Sequence, residues 1–146
     1  MKRTFGTLCL FLMACLGLQA AQVDTLLVRS ESMNKDIKVV AIRPDKAMKG
    51  EKCPVIYLLH GHSGNARTWI DVRPDLPEIA DRDGIIFVCP DGNYDSWYWD
   101  SPAIKESRYE TFISKELIHY VDTHLSAIPD RNKRAITGLS MGGHGA

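Results

Sequence analysis

Residues 134–146 read RAITGLSMGGHGA, and the fold turns on how this stretch is read. Gly138-Leu139-Ser140-Met141-Gly142 fits Gly-x-Ser-x-Gly, a sharp strand-to-helix turn that presents a nucleophilic serine. The chemistry needs a hydroxyl held out at the end of a strand, where a substrate can reach it. A turn that tight crowds its own backbone, so the positions two before and two after the serine must be small. Gly138 and Gly142 meet that need, and Gly143 widens the allowance. Arg134 to Thr137 reads as the short strand leading in. The amide of Met141, the first N–H after the serine, is a candidate oxyanion donor. The competing reading, a phosphate-cradling dinucleotide loop, fails. Gly-x-Gly-x-x-Gly is absent, and no acidic residue follows about 20 positions on.

Upstream, two continuous apolar runs have the composition of strands buried on both faces of a parallel sheet. They are Val55 to Leu59 and the run within Gly84 to Gly92. Between them, Pro74 to Arg82 suits a short helix, with Pro77 in its first turn and Asp83-Gly84 as the stop. Strand, helix and strand make a βαβ unit. Ser107 to Ile128 is the clearest helix. Ser107 and Glu110 form a capping-box pattern. Phe112, Ile113, Leu117, Ile118, Tyr120, Val121 and Leu125 give one apolar face. At the other end, Val23 to Arg29 and Ile37 to Ile42 predict a hairpin turning at Ser32 to Lys35, followed by a loop from Pro44 to Lys52. The predicted architecture is α/β: a hairpin, then parallel strands with crossover helices, the first half of a doubly wound sheet. Within a full sheet, Arg134 to Thr137 would be internal; here it is expected to lie open as an edge.

Composition sets outer limits. The 146 residues allow one domain, and 25% charged with 45% hydrophobic residues is ordinary for a globular protein. Basic and acidic residues balance at 18 each, so nothing favours nucleic acid. Residues 1–20 combine Lys2 and Arg3, an apolar run from Leu8 to Leu18, and small residues at Ala20 and Ala21. That predicts a secretory signal peptide over 1–20 and a mature domain over 21–146. The apolar run is too short for a stable membrane span. Cleavage near Ala20 is preferred over lipidation at Cys15, because apolar residues continue past that cysteine. Removing 1–20 takes away two basic residues and no acidic ones, leaving a net charge of −2. Export would place the chain, periplasmic or extracellular, where disulfides form. Cys53 and Cys89 are nonetheless expected to stay free. They sit at different heights on their strands, roughly 16 Å apart along the sheet.

"LLHGHSGNARTW" (58–69) follows the first buried strand. A His-Gly pair and a Gly-containing loop at a strand end is where a second oxyanion N–H would arise. The amide of His62 is the best candidate and that of Ser63 the next. His60 is expected to be structural, hydrogen-bonded to loop backbone.

Taken together, "VIYLLHGHSGNARTW", "IIFVCPDG", "SWYWDSP", "YETFISKELIHYVD" and "IPDRNKRAITGLSMGGHGA" resemble the putative esterase family. That family includes esterase D (S-formylglutathione hydrolase), tributyrin-type esterases, feruloyl and acetyl-xylan esterases, and mycolyltransferases. The resemblance runs from about residue 23 to Ala146, with the tributyrin-type and secreted bacterial esterases nearest. It implies an α/β-hydrolase fold, of which this chain holds the N-terminal half. It also implies ester hydrolysis with no metal or organic cofactor. Ser140 matches the nucleophile, and His62 and Met141 match the oxyanion positions. The family's catalytic Asp and His would fall beyond Ala146.

Substitutes within the chain are poorly placed. His60 and His62 lie in the oxyanion loop, His119 and His124 on the long helix, and His144 four residues past the serine. Asp91, Asp95 and Asp100 precede the serine, against the order Ser, acid, His. The chain alone is therefore expected to be inactive. The expected partner is a small-molecule or carbohydrate ester, with Trp97, Trp99 and Asp100 of "NYDSWYWDSP" as substrate-binding residues. The same loop would equally use some of its aromatics as packing anchors. The alternatives are an acyltransferase of the same family and a non-catalytic binding module or gene remnant.

Overall fold

The computed structural model describes residues 21–146. The expected signal peptide and Cys15 lie outside the described residues. Five strands form one sheet in the order β1-β2-β4-β3-β5. They are β1 (Gln22–Ser30), β2 (Lys35–Arg43), β3 (Val55–Leu59), β4 (Ile86–Pro90) and β5 (Arg134–Gly138). β1, β2 and β4 are joined by antiparallel pairings; β4, β3 and β5 run parallel. The hairpin and parallel strands match the expected pattern. β5 pairs with β3 alone among the described residues and forms the sheet's edge.

Alternation along the buried strands separates two cores. Val55, Tyr57 and Leu59 of β3, with Ile86 and Val88 of β4, face Phe112, Leu117 and Val121 of the long helix. Leu58, Phe87 and Cys89 face the opposite way, with Leu76 and Ala80. The second layer comes from α2 (Thr68–Val72) and α3 (Leu76–Asp83). α3 ends at Gly84, whose left-handed φ of 65° makes the stop foreseen at Asp83-Gly84. α2 and a short helical turn, α1 (Asp45–Met48), escape sequence reading because neither is long enough to show a period.

Among the described residues Cys53 and Cys89 are free, as expected, for a further reason. Cys53 belongs to one core and Cys89 to the other, with the sheet between them. Burial raises both thiol pKa values, that of Cys89 to about 12.

The long helix departs from expectation at its start. It runs continuously over 109–124 as α4 (Tyr109–Thr111), a π-helical segment (Phe112–Leu117) and α5 (Ile118–His124). The Ser107–Glu110 capping box does not form. Ser107 is held in an extended crossing: its carbonyl accepts from Ser101 N–H (2.8 Å) and Asp100 bridges to Arg108. The helix begins two residues later, and Asp100 caps it from a distance. Its carboxylate accepts from the Thr111 N–H (3.0 Å) and the Thr111 hydroxyl (2.6 Å). The wide π turns carry Glu116 to the hairpin, where its carboxylate accepts from the Ser30 hydroxyl (2.7 Å) and the Ser32 N–H (2.8 Å).

Candidate active site

β3 and β5 are neighbours in register, Leu59 opposite Gly138, so the loops leaving them emerge side by side. After β5 the chain turns at Ser140 into α6 (Met141–His144). Ser140 takes φ 50° and ψ −112°, a conformation L-residues adopt only at a cost. The flanking glycines are obligatory. A Cβ on Gly138 would lie 2.4 Å from the carbonyl carbon of Gly142, and one on Gly142 would lie 2.3 Å from the Leu59 carbonyl oxygen. Ser140 is exposed, while Met141 and Gly142 are buried beneath it.

The second loop reaches the same point. A Cβ on Gly61 would approach Ser140 Cβ to 3.7 Å. The Ser63 N–H donates to the Tyr94 carbonyl (2.8 Å), which engages the second-choice oxyanion donor elsewhere. The His62 N–H and Met141 N–H have no acceptor among the described residues. Two free N–H groups beside an exposed serine are what a developing oxyanion needs.

His60 locks this loop in place. It is fully buried, its Nδ1 lies 2.7 Å from the Gly61 carbonyl, and its Nε2 accepts from the Gly92 N–H (2.8 Å). Because Nε2 accepts that bond, Nδ1 carries the proton and donates to Gly61. Asp91, 3.7 Å from Nε2, is then a neighbour of a neutral ring. His62 adds an edge contact to Tyr94, with ring centroids 4.7 Å apart.

The aromatic triplet divides. Tyr98 is 3% exposed, and its hydroxyl accepts from the His60 N–H at 3.0 Å. A Cβ on Gly92 or on Gly145 would strike it, at 2.3 and 2.4 Å. Tyr98 is thus the anchor on which the Gly92 loop, the His60 loop and the end of α6 all rest. Sequence reading allowed for such an anchor without saying which aromatic it was. Burial holds its hydroxyl protonated by raising its pKa. Trp97, 46% exposed, stands beside α6: its carbonyl accepts from His144 Nδ1 (3.0 Å) and its ring meets the His144 imidazole edge-on. Trp99, 50% exposed, lines a different hollow with Lys35 and Ile104. The structure therefore gathers Ser140, His62, Met141 and Trp97. Trp99 stands apart, and the Asp100 carboxylate caps the long helix through Thr111.

No imidazole bonds to the Ser140 hydroxyl among the described residues. His144 is tied to Trp97, and His124 stacks on Tyr120 of its own helix. No group of three His, Cys, Asp or Glu side chains among the described residues could hold a metal ion.

Residues 30–146 match the family model described as "Putative esterase". The chain belongs to the putative esterase family. It is 31% identical over 125 residues to an acetyl esterase of Caldicellulosiruptor saccharolyticus, covering 80% of this chain and 46% of that one. It is 29% identical over 130 residues to S-formylglutathione hydrolase of Bos taurus, covering 75% and 45%. A solved ferulic acid esterase superposes with a TM-score of 0.75 at 32% identity, covering 86% of this chain and 53% of that one. The chain thus spans about half the length of these esterase-family relatives, and its five-stranded sheet with flanking helices is an α/β-hydrolase-type fold.

Proposed function

We propose that this chain carries the nucleophile half of a serine carboxylesterase. Ser140 attacks the ester carbonyl. The amides of His62 and Met141 hold the oxyanion, and an acyl-enzyme forms as the alcohol leaves. The observation that carries this reading is the strained, exposed Ser140 set beside two unpartnered N–H groups. The base and its orienting acid are not supplied by the described residues, so the 146-residue chain turns over esters at background level. A short-chain acyl or carbohydrate-linked ester suits the open site flanked by the exposed Trp97 ring. The charged start and short apolar run of residues 1–20 support export. Among the described residues no helix is long and apolar enough to cross a membrane.

The test is fluorophosphonate labelling of the longest product of the reading frame that contains this chain. Label at Ser140 that vanishes in Ser140→Ala supports the reading; a labelled Ser140→Ala protein overturns it. For the 146 residues alone, p-nitrophenyl ester hydrolysis lost in Ser140→Ala would overturn the stated inactivity.

A further inference from the structure

Trp97 and Trp99 are two residues apart, yet the buried Tyr98 between them sends them to different places. Trp97 and Tyr98 both have left-handed backbones, φ 53° and 55°. Trp97 meets His144 on the helix after Ser140. Trp99 lines a hollow of about 320 Å³ with Lys35, Asn93, Asp95, Ile104 and Glu106. A second hollow of about 280 Å³ shares Lys35 and Asn93 with it, so the two adjoin as one trough. Lys35 opens β2, and the Lys38 carbonyl accepts from the Asp91 N–H just past the end of β4. The trough therefore lies at the same end of the sheet as Ser140. β2 and β5 are three sheet positions apart, which puts roughly 14 Å between the trough and the serine.

The trough combines an apolar platform with polar side chains. Half of the Trp99 indole is open to solvent with Ile104 beside it, giving an apolar platform. The carboxylates of Asp95 and Glu106 have no hydrogen-bond partner among the described residues and ring that platform with acceptors for hydroxyl groups. With Lys35 and Lys38 also lining the trough, hydrogen-bond donors and acceptors of both signs surround the platform, which suits a neutral polyhydroxylated ring. A trough displaced from the serine along one sheet end suits an oligomer more than a single small alcohol.

We propose that the Trp99 trough is a saccharide subsite that holds the carbohydrate part of an ester substrate at a distance from Ser140. The inference rests on the esterase reading for its purpose, not for its binding. The chain has three tryptophans, so three indole N–H resonances report on it. Xylohexaose, a neutral oligosaccharide carrying no ester, is titrated into the 15N-labelled chain at low micromolar concentration. The expected result is a saturable shift of the Trp99 indole with the Trp69 indole unmoved. Affinity should fall about tenfold or more in Trp99→Ala and be largely kept in Trp99→Phe. The unmoved Trp69 signal in Trp99→Ala verifies the fold. No Trp99 shift, or equal affinity in wild type and Trp99→Ala, overturns the proposal. Absence of Ser140 labelling in the longest product of the reading frame, with Trp99 binding intact, would sink the esterase reading and leave the subsite standing.

Discussion

Gly61 and Ser140 meet across the ends of β3 and β5, close enough that a methyl on Gly61 would sit 3.7 Å from Ser140 Cβ and 3.3 Å from the Leu139 carbonyl oxygen. The strands are in register through Leu59 and Gly138, and the Leu139 N–H donates to the Leu59 carbonyl (3.2 Å). That carbonyl also accepts from the Trp69 indole (3.0 Å). The two loops are thereby clamped at their roots, and the free amides of His62 and Met141 are held without support from a ligand.

The elbow glycines tolerate no side chain. Gly138→Ala forces a Cβ to within 2.4 Å of Gly142 backbone, and backbone cannot swing aside as a side chain can. The expected loss is roughly 1–3 kcal/mol of stability, read as a lower urea midpoint with an unchanged slope.

Ser140 stores strain that glycine would relieve. Ser140→Gly removes the Cβ from a φ of 50°. After glycine's greater freedom in the unfolded chain is set against the gain, stability should rise by up to about 1 kcal/mol. A thermal melt of Ser140→Gly at or below wild type would contradict stored strain at the elbow.

Tyr98→Phe keeps the ring and removes the hydroxyl that takes the His60 N–H. A buried donor left without an acceptor should cost about 1–3 kcal/mol. Faster hydrogen exchange at the His60 amide, with the far hairpin unaffected, is the local signature.

Asp100 links stability to acid. Partial burial pushes its carboxyl upward, but the two Thr111 hydrogen bonds and nearby Arg108 outweigh this and hold it below the usual carboxylate range. A lowered folded pKa contributes stability above the unfolded value, near 3.9, that is lost as pH falls through the folded one. Asp100→Asn takes the charge out of both Thr111 hydrogen bonds and should be less stable by about 1 kcal/mol at pH 7. The gap between the two urea midpoints should close below about pH 4. A constant gap down to pH 2 would show that the charge on Asp100 is not what caps the helix.

β5 presents an unpaired edge among the described residues, with Ile136 39% and Leu139 44% exposed beside it. Such edges recruit other strands. The chain is expected to self-associate as concentration rises, and Ile136→Lys should suppress this in sedimentation velocity.

Local patterns carried the strands, the elbow and the order of elements. Val55 to Leu59 was legible to the residue because an apolar run between a proline and His-Gly has few other uses. Gly138 and Gly142 were legible because a strained turn leaves only glycine there. The helix start was not. Ser107 and Glu110 had the right spacing, but the Asp100–Arg108 bridge had already fixed the backbone at Ser107. Likewise the sequence named Trp97 and Trp99 for the substrate but left open which aromatic anchors the loop, and only burial showed that Tyr98 does.

The sequence alone determined the α/β class, the serine turn and the pair of loops able to surround it, since each depends on residues within a few positions of one another. The tertiary structure decided that the Ser63 amide is engaged by Tyr94, that Tyr98 underlies the His60 loop 38 positions away, and that Asp100 caps the long helix through Thr111. Those outcomes hinge on which donors and acceptors meet when distant segments pack. Spacing along the chain leaves that open, because many partners of equal chemistry compete until burial selects one.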